Sequence, residues 1–454
     1  MMPETARDLA ERLRNGKCDP VALVEQAFDR LAATGDPALF IRQTRARAEA
    51  EARAARERLR AGNPASLLDG VPLAWKDLFD LKGTVTTAGS AVLRDAAPAA
   101  RDAALVHAAM RGGLVTVGTV NMTEFAYSGI GLNPHYGTPR NPRDPKVARS
   151  PGGSSSGSGA VVAAGVVPIS IGTDTGGSIR IPAAFNGIVG YKTSTGHHPM
   201  EGVFSLSPTL DTLGPLAHTV EDCVLVDAVL RGLRAPEVGA ADLGALDLVI
   251  PDTVLLDDLD PAVAAAFDAT LARLEAAGAR LRRIQLPEIR DAVTVAAEIG
   301  PLSSVEAMVV HRDRLGTPAE AGMDPRVVRR IRMGEGILAS DYVRLLSERA
   351  RLKAAVAERL GGALLICPTT PCVAMPIAPL EADMEVFFRN NFRTLRNTSQ
   401  GNFLDWCGLS IPNGEDADGM PTGLMISAAH GRDRALLSAG LALETIIRGR
   451  PGHG

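Results

Sequence analysis

Two segments hold an unusual density of glycine and small hydroxyl residues: PGGSSSGSG at residues 151–159 and GTDTGGSIRIP at residues 172–182. A phosphate-binding loop needs two glycines separated by four residues, then a lysine that places its charge on the terminal phosphates. Gly152 and Gly157 have that spacing, but Ser158 stands where the lysine belongs, so nucleotide binding is not expected. A nucleophile elbow needs GxSxG on a sharp strand-to-helix turn. Residues 153–157 match the letters with Ser155 in the middle, yet the preceding TPRNPRDPKVARSP is polar and proline-rich, and no strand feeds the turn.

A serine nucleophile still needs a base, and histidine is the usual one. Of the eight histidines, His107 lies in a helical stretch, His135 follows Pro134, and His197 and His198 follow a glycine in a loop. None falls in a metal-ligand pattern, and Cys367 with Cys372 lacks a second ligand pair, so neither a metal nor another cofactor is expected. Lys76 offers a different base. It ends the strand-like run VPLAW, and burial can lower a lysine from its reference value near 10.4 by about 3–5 pH units, leaving a neutral amine near neutral pH. The competing reading is a lysine that snorkels to water.

The elements that position these residues follow from apolar periodicity. Residues 1–62 read as helical, with Leu9, Leu13, Leu23, Phe28 and Leu31 near 3.6-residue spacing, Asp19-Pro20 as a helix start, and Gly16 and Gly35 as helix ends. From residue 65 to 230 short β-branched runs alternate with the helical stretches VHAAMRGG and SGAVVAAG, a texture that predicts a large mixed, mostly parallel sheet covered by helices on both faces. Residues 235–360 read as a helix-rich insertion with a strand at 246–251. Residues 361–454 return to strands in ALLICPTTP and GLMISAAHG and end in a helix over 434–447.

The chain has 454 residues and a formal net charge of −4, with 46% hydrophobic and 22% charged residues, the balance of a folded globular protein. Near-neutral charge gives no electrostatic case for nucleic acid or an anionic membrane. The partner expected is a small molecule. Five scattered cysteines argue against a disulfide framework, the start MMPETARDLAERLR lacks the apolar run of a signal peptide, and the apolar stretch 159–172 is short of the ~20 residues that span a bilayer. A cytoplasmic location is expected, and a homodimer is compatible with the sequence.

Taken together, VPLAWKD, PGGSSSGSG and GTDTGGSIRIPAAFNGIVGYK closely resemble the amidase signature family, whose members use a Ser-cisSer-Lys triad. DTLGPLAHTVED and GMPTGLMISA extend the resemblance, strong over 65–230 and weaker over 360–450. Ser156 departs from the family's usual glycine and leaves the triad positions intact.

The resemblance implies an α/β amidase signature fold in a single domain over 1–454. It also implies a cofactor-independent amidohydrolase that cleaves a linear C–N bond of a small amide or carbamate through a serine acyl-enzyme. On this reading Lys76 is the base, Ser154, after a cis peptide from Gly153, the bridging serine, and Ser178 the nucleophile. The backbone amides of Thr175, Gly176, Gly177 and Ser178 would form the oxyanion hole. Asp174 and Arg180 would brace the loop, the competing reading being that Arg180 holds a substrate carboxylate. Phe125 and Tyr127 either line the acyl pocket or are core aromatics. Trp75 is expected to help dry the pocket and Cys223 to be core. With only 4% aromatic residues, a large aromatic pocket is not favoured. The alternative function is that of the glutamine-hydrolysing A subunit of a tRNA amidotransferase. A catalytically silent binding module is disfavoured because all three triad positions are filled.

Overall fold

The apolar runs become the strands of one sheet in the computed structural model, which describes residues 4–449. In chain order the strands are β1 (Phe40–Gln43), β2 (Pro72–Lys76), β3 (Val115–Val120), β4 (Ile169–Asp174), β5 (Val189–Lys192), β6 (Thr212–Ala217), β7 (Asp247–Asp252), β8 (Arg280–Gln285), β9 (Leu364–Pro368), β10 (Cys407–Glu415) and β11 (Pro421–Ala428). They lie side by side as β1-β3-β2-β4-β6-β5-β10-β11-β9-β7-β8. Every residue of β2, β3, β4, β5, β6, β9 and β11 is buried. Strands covered on both faces need no polar alternation, which is why they read as continuous apolar runs.

The large mixed α/β sheet agrees with expectation, but its parallel character does not. Six of the ten pairings are antiparallel and four are parallel. Two features produce this. β10 and β11 form a hairpin closed at Asp416–Gly419, and β6 slots between β4 and β5 antiparallel to both. Periodicity identifies a strand and says nothing of its neighbour's direction.

The N-terminal segment is helical over Ala6–Arg14, Pro20–Thr34 and Arg45–Arg60. Asp19 caps the second helix by accepting from the Val21 and Ala22 amides, and Gly35 ends it at φ 62°. The short edge strand β1 interrupts what the sequence suggested was wholly helical. β8, RLRRIQ, was also missed, because its charged and largely exposed residues hide an edge strand. Cys223 sits in the core as expected, packed with Val220, Leu409 and Leu443.

Among the described residues no single helix is long and apolar enough to cross a membrane; one bent pair, Pro287–Ile299 with Leu302–His311, meets the length and composition together. What matters for the site is the centre of the sheet. β2 and β4 are parallel neighbours, so Lys76 and Asp174 end at the same edge, where parallel α/β sheets gather their functional loops.

Candidate active site

β2 carries Lys76 into the interior, with no part of the residue exposed. Its Nζ lies 2.7 Å from Ser154 Oγ and 2.7 Å from Thr173 Oγ1. Burial lowers the amine's pKa to about 7, against an opposing pull from the Asp211 and Asp174 charges. No carboxylate pairs with it among the described residues, so what faces Ser154 near neutral pH is in good part a free amine. Trp75, one residue earlier, is buried, donates to Thr116 Oγ1 at 3.2 Å and tilts against Phe79. It is part of the core and does not line the cavity described below.

Ser154 is delivered by a buried loop whose Gly153-Ser154 peptide is cis. A Cβ on Gly153 would lie 2.6 Å from the Gly131 amide nitrogen, so only glycine lets these two backbones meet. The Ser155 hydroxyl faces the Thr173 carbonyl at 3.3 Å. No strand leads into this turn, and the helix Ser156–Ala163 starts directly after it. The elbow reading of Ser155 therefore finds no support.

The third segment leaves β4 at Asp174 and enters the helix Arg180–Asn186. Asp174 organises the loop between them. Its carboxylate accepts from the Gly177 and Ile179 amides at 2.8 and 3.1 Å, from Arg180 Nε and Nη2 at 3.0 and 2.9 Å, and from Asn402 Nδ2 at 2.9 Å. Burial alone would raise this carboxyl, but Arg180, Lys192 and Asn402 carry it well below the usual range. Arg180 is 1% exposed, and beyond Asp174 its Nη2 donates to Thr398 O and Asn402 Oδ1. Its Nη1 meets only Met425 Sδ at 3.3 Å, so the guanidinium is held chiefly by Asp174, Thr398 O and Asn402.

Asp174 also revises the set of free amides. The Gly177 N–H is committed to Asp174 Oδ1, so it is removed from the four expected donors. The amides of Thr175, Gly176 and Ser178 have no protein acceptor among the described residues, and all three residues line one cavity. Gly177 is required for a different reason. Its φ is 134°, and a Cβ there would lie 2.1 Å from Thr398 Oγ1.

The cavity is narrow, about 30 Å³, and bordered by Tyr127, Ser128, Thr175, Gly176, Ser178, Leu206, Ser303, Arg330 and Leu395 among others. Larger surface hollows, of about 720 and 820 Å³, contain none of these residues. Ser178 is 4% exposed. Its hydroxyl makes no hydrogen bond among the described residues, including none to Ser154; the two segments are tied instead by the Ser155 amide donating to Ser178 O at 3.3 Å.

Tyr127 reaches the cavity, and its hydroxyl bonds Ser304 Oγ at 2.6 Å. Phe125 does not. It is fully buried against Phe204 and His311 and packs in the core. Phe125 and Ala126 adopt φ of 51° and 61°, a left-handed turn rare for non-glycine residues, and this turn swings residues 126–128 along the cavity wall.

Several site residues gave no clear sequence signal. Thr173 sits inside the GTDTGGS run yet reads there as a strand residue. Arg330 arrives on the helix Pro325–Arg332, and Leu395, Thr398 and Asn402 on the helix Met384–Phe403. These contacts span more than 150 residues of chain, beyond the reach of local pattern. Elsewhere, His197 Nε2 and His198 Nε2 lie 2.8 and 3.2 Å from Asp227 Oδ1, a grouping whose ligand atoms fall within 4.8 Å of one another. Arg231 stands 3.7 Å from the other Asp227 oxygen and opposes a second cation there. Despite its burial, His197 is raised by Asp227 and Asp433, which marks a charge-paired cluster.

The chain is similar to known proteins over nearly its whole length. The family model described as Amidase matches residues 22–437. The chain is 35% identical to 2-amino-5-chloromuconic acid deaminase of Comamonas testosteroni over 447 residues, 96% of this chain and 95% of the relative. It is 33% identical to the A subunit of the glutamyl-tRNA(Gln) amidotransferase of Acidothermus cellulolyticus, covering 100% of this chain and 96% of that one. A crystal structure of an amidase superposes with a TM-score of 0.86 at 32% identity, covering 97% and 99% of the two chains. With most of its length matched by sequence and by fold, the chain belongs to the amidase family.

Proposed function

We propose that this amidohydrolase works through Ser178 as nucleophile, Ser154 as proton relay and Lys76 as base, on small linear amides. One observation carries the reading: a wholly buried lysine with its pKa held near 7 stands 2.7 Å from Ser154, in the segment tied to Ser178. The Lys76 amine takes the Ser154 proton while Ser154 takes the Ser178 proton, and Ser178 Oγ bonds to the amide carbonyl carbon. A serine hydroxyl is a poor nucleophile until a base removes its proton. The relay then runs backward and protonates the leaving nitrogen as the C–N bond breaks. Water, activated by the same relay, hydrolyses the ester to a carboxylic acid and regenerates Ser178.

Negative charge on the carbonyl oxygen is received by the free amides of Thr175, Gly176 and Ser178, donors typically worth about 3–4 kcal/mol each. The Ser154 and Ser178 hydroxyls must come into contact as substrate fills the cavity, a tightening common to catalytic hydrogen bonds. All five cysteines are free, which supports a cytoplasmic location, and the membership of all eleven strands in one sheet supports reading the chain as one catalytic unit.

The test is mass-spectrometric detection of acid product from small primary amides, with wild type and Ser178→Ala in parallel. Product with wild type alone is expected; equal product from the variant would overturn the assignment. A second reading, glutamine hydrolysis for a partner protein, is favoured by the full-length likeness to the A subunit of the tRNA amidotransferase. It predicts that glutamine is turned over only in the partner's presence.

A further inference from the structure

The helix Pro325–Arg332 carries four arginines, and three have carboxylate partners. Arg326 pairs with Asp324 at 2.8 Å, Arg329 with Glu385 at 2.6 Å and Arg332 with Glu320 at 2.6 Å. Arg330 has no carboxylate within 4.0 Å among the described residues, and it is the one that borders the cavity beside Ser178. Its Nη1 donates to the Tyr127 carbonyl at 2.9 Å, and the guanidinium lies over the Tyr127 ring at 4.1 Å. Nε is buried without a partner, and Nη2 makes no hydrogen bond among the described residues. Burial pushes this guanidinium below its usual pKa, against a smaller opposing pull from Tyr127.

A half-buried cation without a counter-charge is costly, and an anion that binds there relieves the cost. The Nε and Nη2 donors form the edge of a guanidinium that grips a carboxylate with two parallel hydrogen bonds. Tyr127 therefore fixes the plane of the fork by stacking and by its carbonyl, while the gripping edge stays free. Arg180, the other arginine near the loop, is already spent on Asp174.

Resting on the assignment of Ser178 as nucleophile, we propose that Arg330 binds a carboxylate on the acyl part of the substrate, so that the preferred substrates are primary monoamides of dicarboxylic acids. Acylation then joins Ser178 to one end of the diacid, while the far carboxylate stays on Arg330. Ammonia leaves from the amide end with the proton returned by the relay.

The test compares monoamides of malonate, succinate, glutarate and adipate with neutral primary amides of matched length, such as succinamate against butyramide. In parallel, the free diacids are used to slow phosphonate labelling of Ser178. For wild type, at least one monoamide should exceed its neutral match in kcat/KM by about 10- to 100-fold, the range for hydrogen bonds to a charged group, and the corresponding diacid should protect Ser178. In Arg330→Met the acid-to-neutral ratio should fall to about one and protection should vanish. Arg330→Lys, which keeps the charge without the fork, should fall between. Wild type with no preference and no diacid protection, but with Ser178 labelled, overturns the carboxylate site and leaves the hydrolase reading standing. An equal loss on acid and neutral amides in Arg330→Met also overturns it, by assigning Arg330 a purely structural part. A phosphonate label on a residue other than Ser178 overturns the nucleophile assignment and this proposal with it.

Discussion

Replacing Lys76 by methionine is expected to abolish turnover and yet to stabilise the protein at neutral pH. The folded state holds this amine at about 7 instead of its ordinary 10.5. At about 1.4 kcal/mol per pH unit, that is a cost of about 5 kcal/mol to folding at pH 7 relative to strongly alkaline solution. The sign follows from proton binding. Between about pH 7 and 10.5 the unfolded lysine is protonated and the folded one is not, so wild-type stability rises with pH across that window and is flat below it.

Methionine removes this dependence but strips the Ser154 and Thr173 hydroxyls of the amine they face, a loss of about 1–2 kcal/mol apiece. The variant should therefore gain about 1–3 kcal/mol at pH 7 and be less stable than wild type by pH 10. Urea denaturation of both proteins at the two pH values measures the difference, in which other titrating groups cancel. A stability difference that does not change with pH would sink the idea of a depressed amine, because it would mean an ordinary lysine pKa. Catalytically, about half of a lysine with pKa 7 is neutral at pH 7, against roughly one molecule in 3,000 for an unshifted one. Wild-type kcat/KM should accordingly fall about tenfold per pH unit below 7.

Three further substitutions probe the surroundings. Thr173→Val deletes the acceptor that favours the charged amine, so the acid limb of the pH–rate profile should move to lower pH and kcat/KM should drop about tenfold; Thr173→Ser should restore both, and an unmoved profile would count against this role. Asp174→Asn leaves the buried Arg180 without its counter-charge, an expected loss of about 3–5 kcal/mol by chemical denaturation; a loss under about 1 kcal/mol would mean that the pair does not brace the loop. Gly177→Ala forces a Cβ against Thr398 and should reduce turnover by about 100-fold or more by displacing the neighbouring amides, whereas near-normal activity would show that the loop tolerates the shift.

The candidate site was legible where it is local. Lys76, Ser154 and Ser178 sit in short motifs whose glycines and hydroxyls are dictated by close backbone approach, and Asp174 with Arg180, six residues apart, reads as a pair from the sequence alone. What was not legible depends on long-range placement. The antiparallel insertion of β6, the edge strands β1 and β8 and the burial of Phe125 beneath Phe204 and His311 arise from contacts between distant segments. The engagement of the Gly177 amide is local in sequence, but it turns on the rotamer of Asp174, which Arg180 and Asn402 fix. Arg330 is the sharpest case. Among four arginines in PRVVRRIR nothing in the sequence singles out the one without an acid, because its surroundings are built by Tyr127, some 200 residues earlier.

An acyl-enzyme at Ser178 underlies both the relay and the carboxylate site. It is measured directly by acid-quenching the enzyme during turnover of a primary amide and localising the acyl mass by peptide fragmentation. Fragmentation is needed because Ser154, Ser155 and Ser178 lie between Arg149 and Arg180 without an intervening lysine or arginine. The acyl group is predicted on Ser178, present in wild type and absent in Ser178→Ala. An adduct on Ser155, or product formed by Ser178→Ala at the wild-type rate, would contradict the relay.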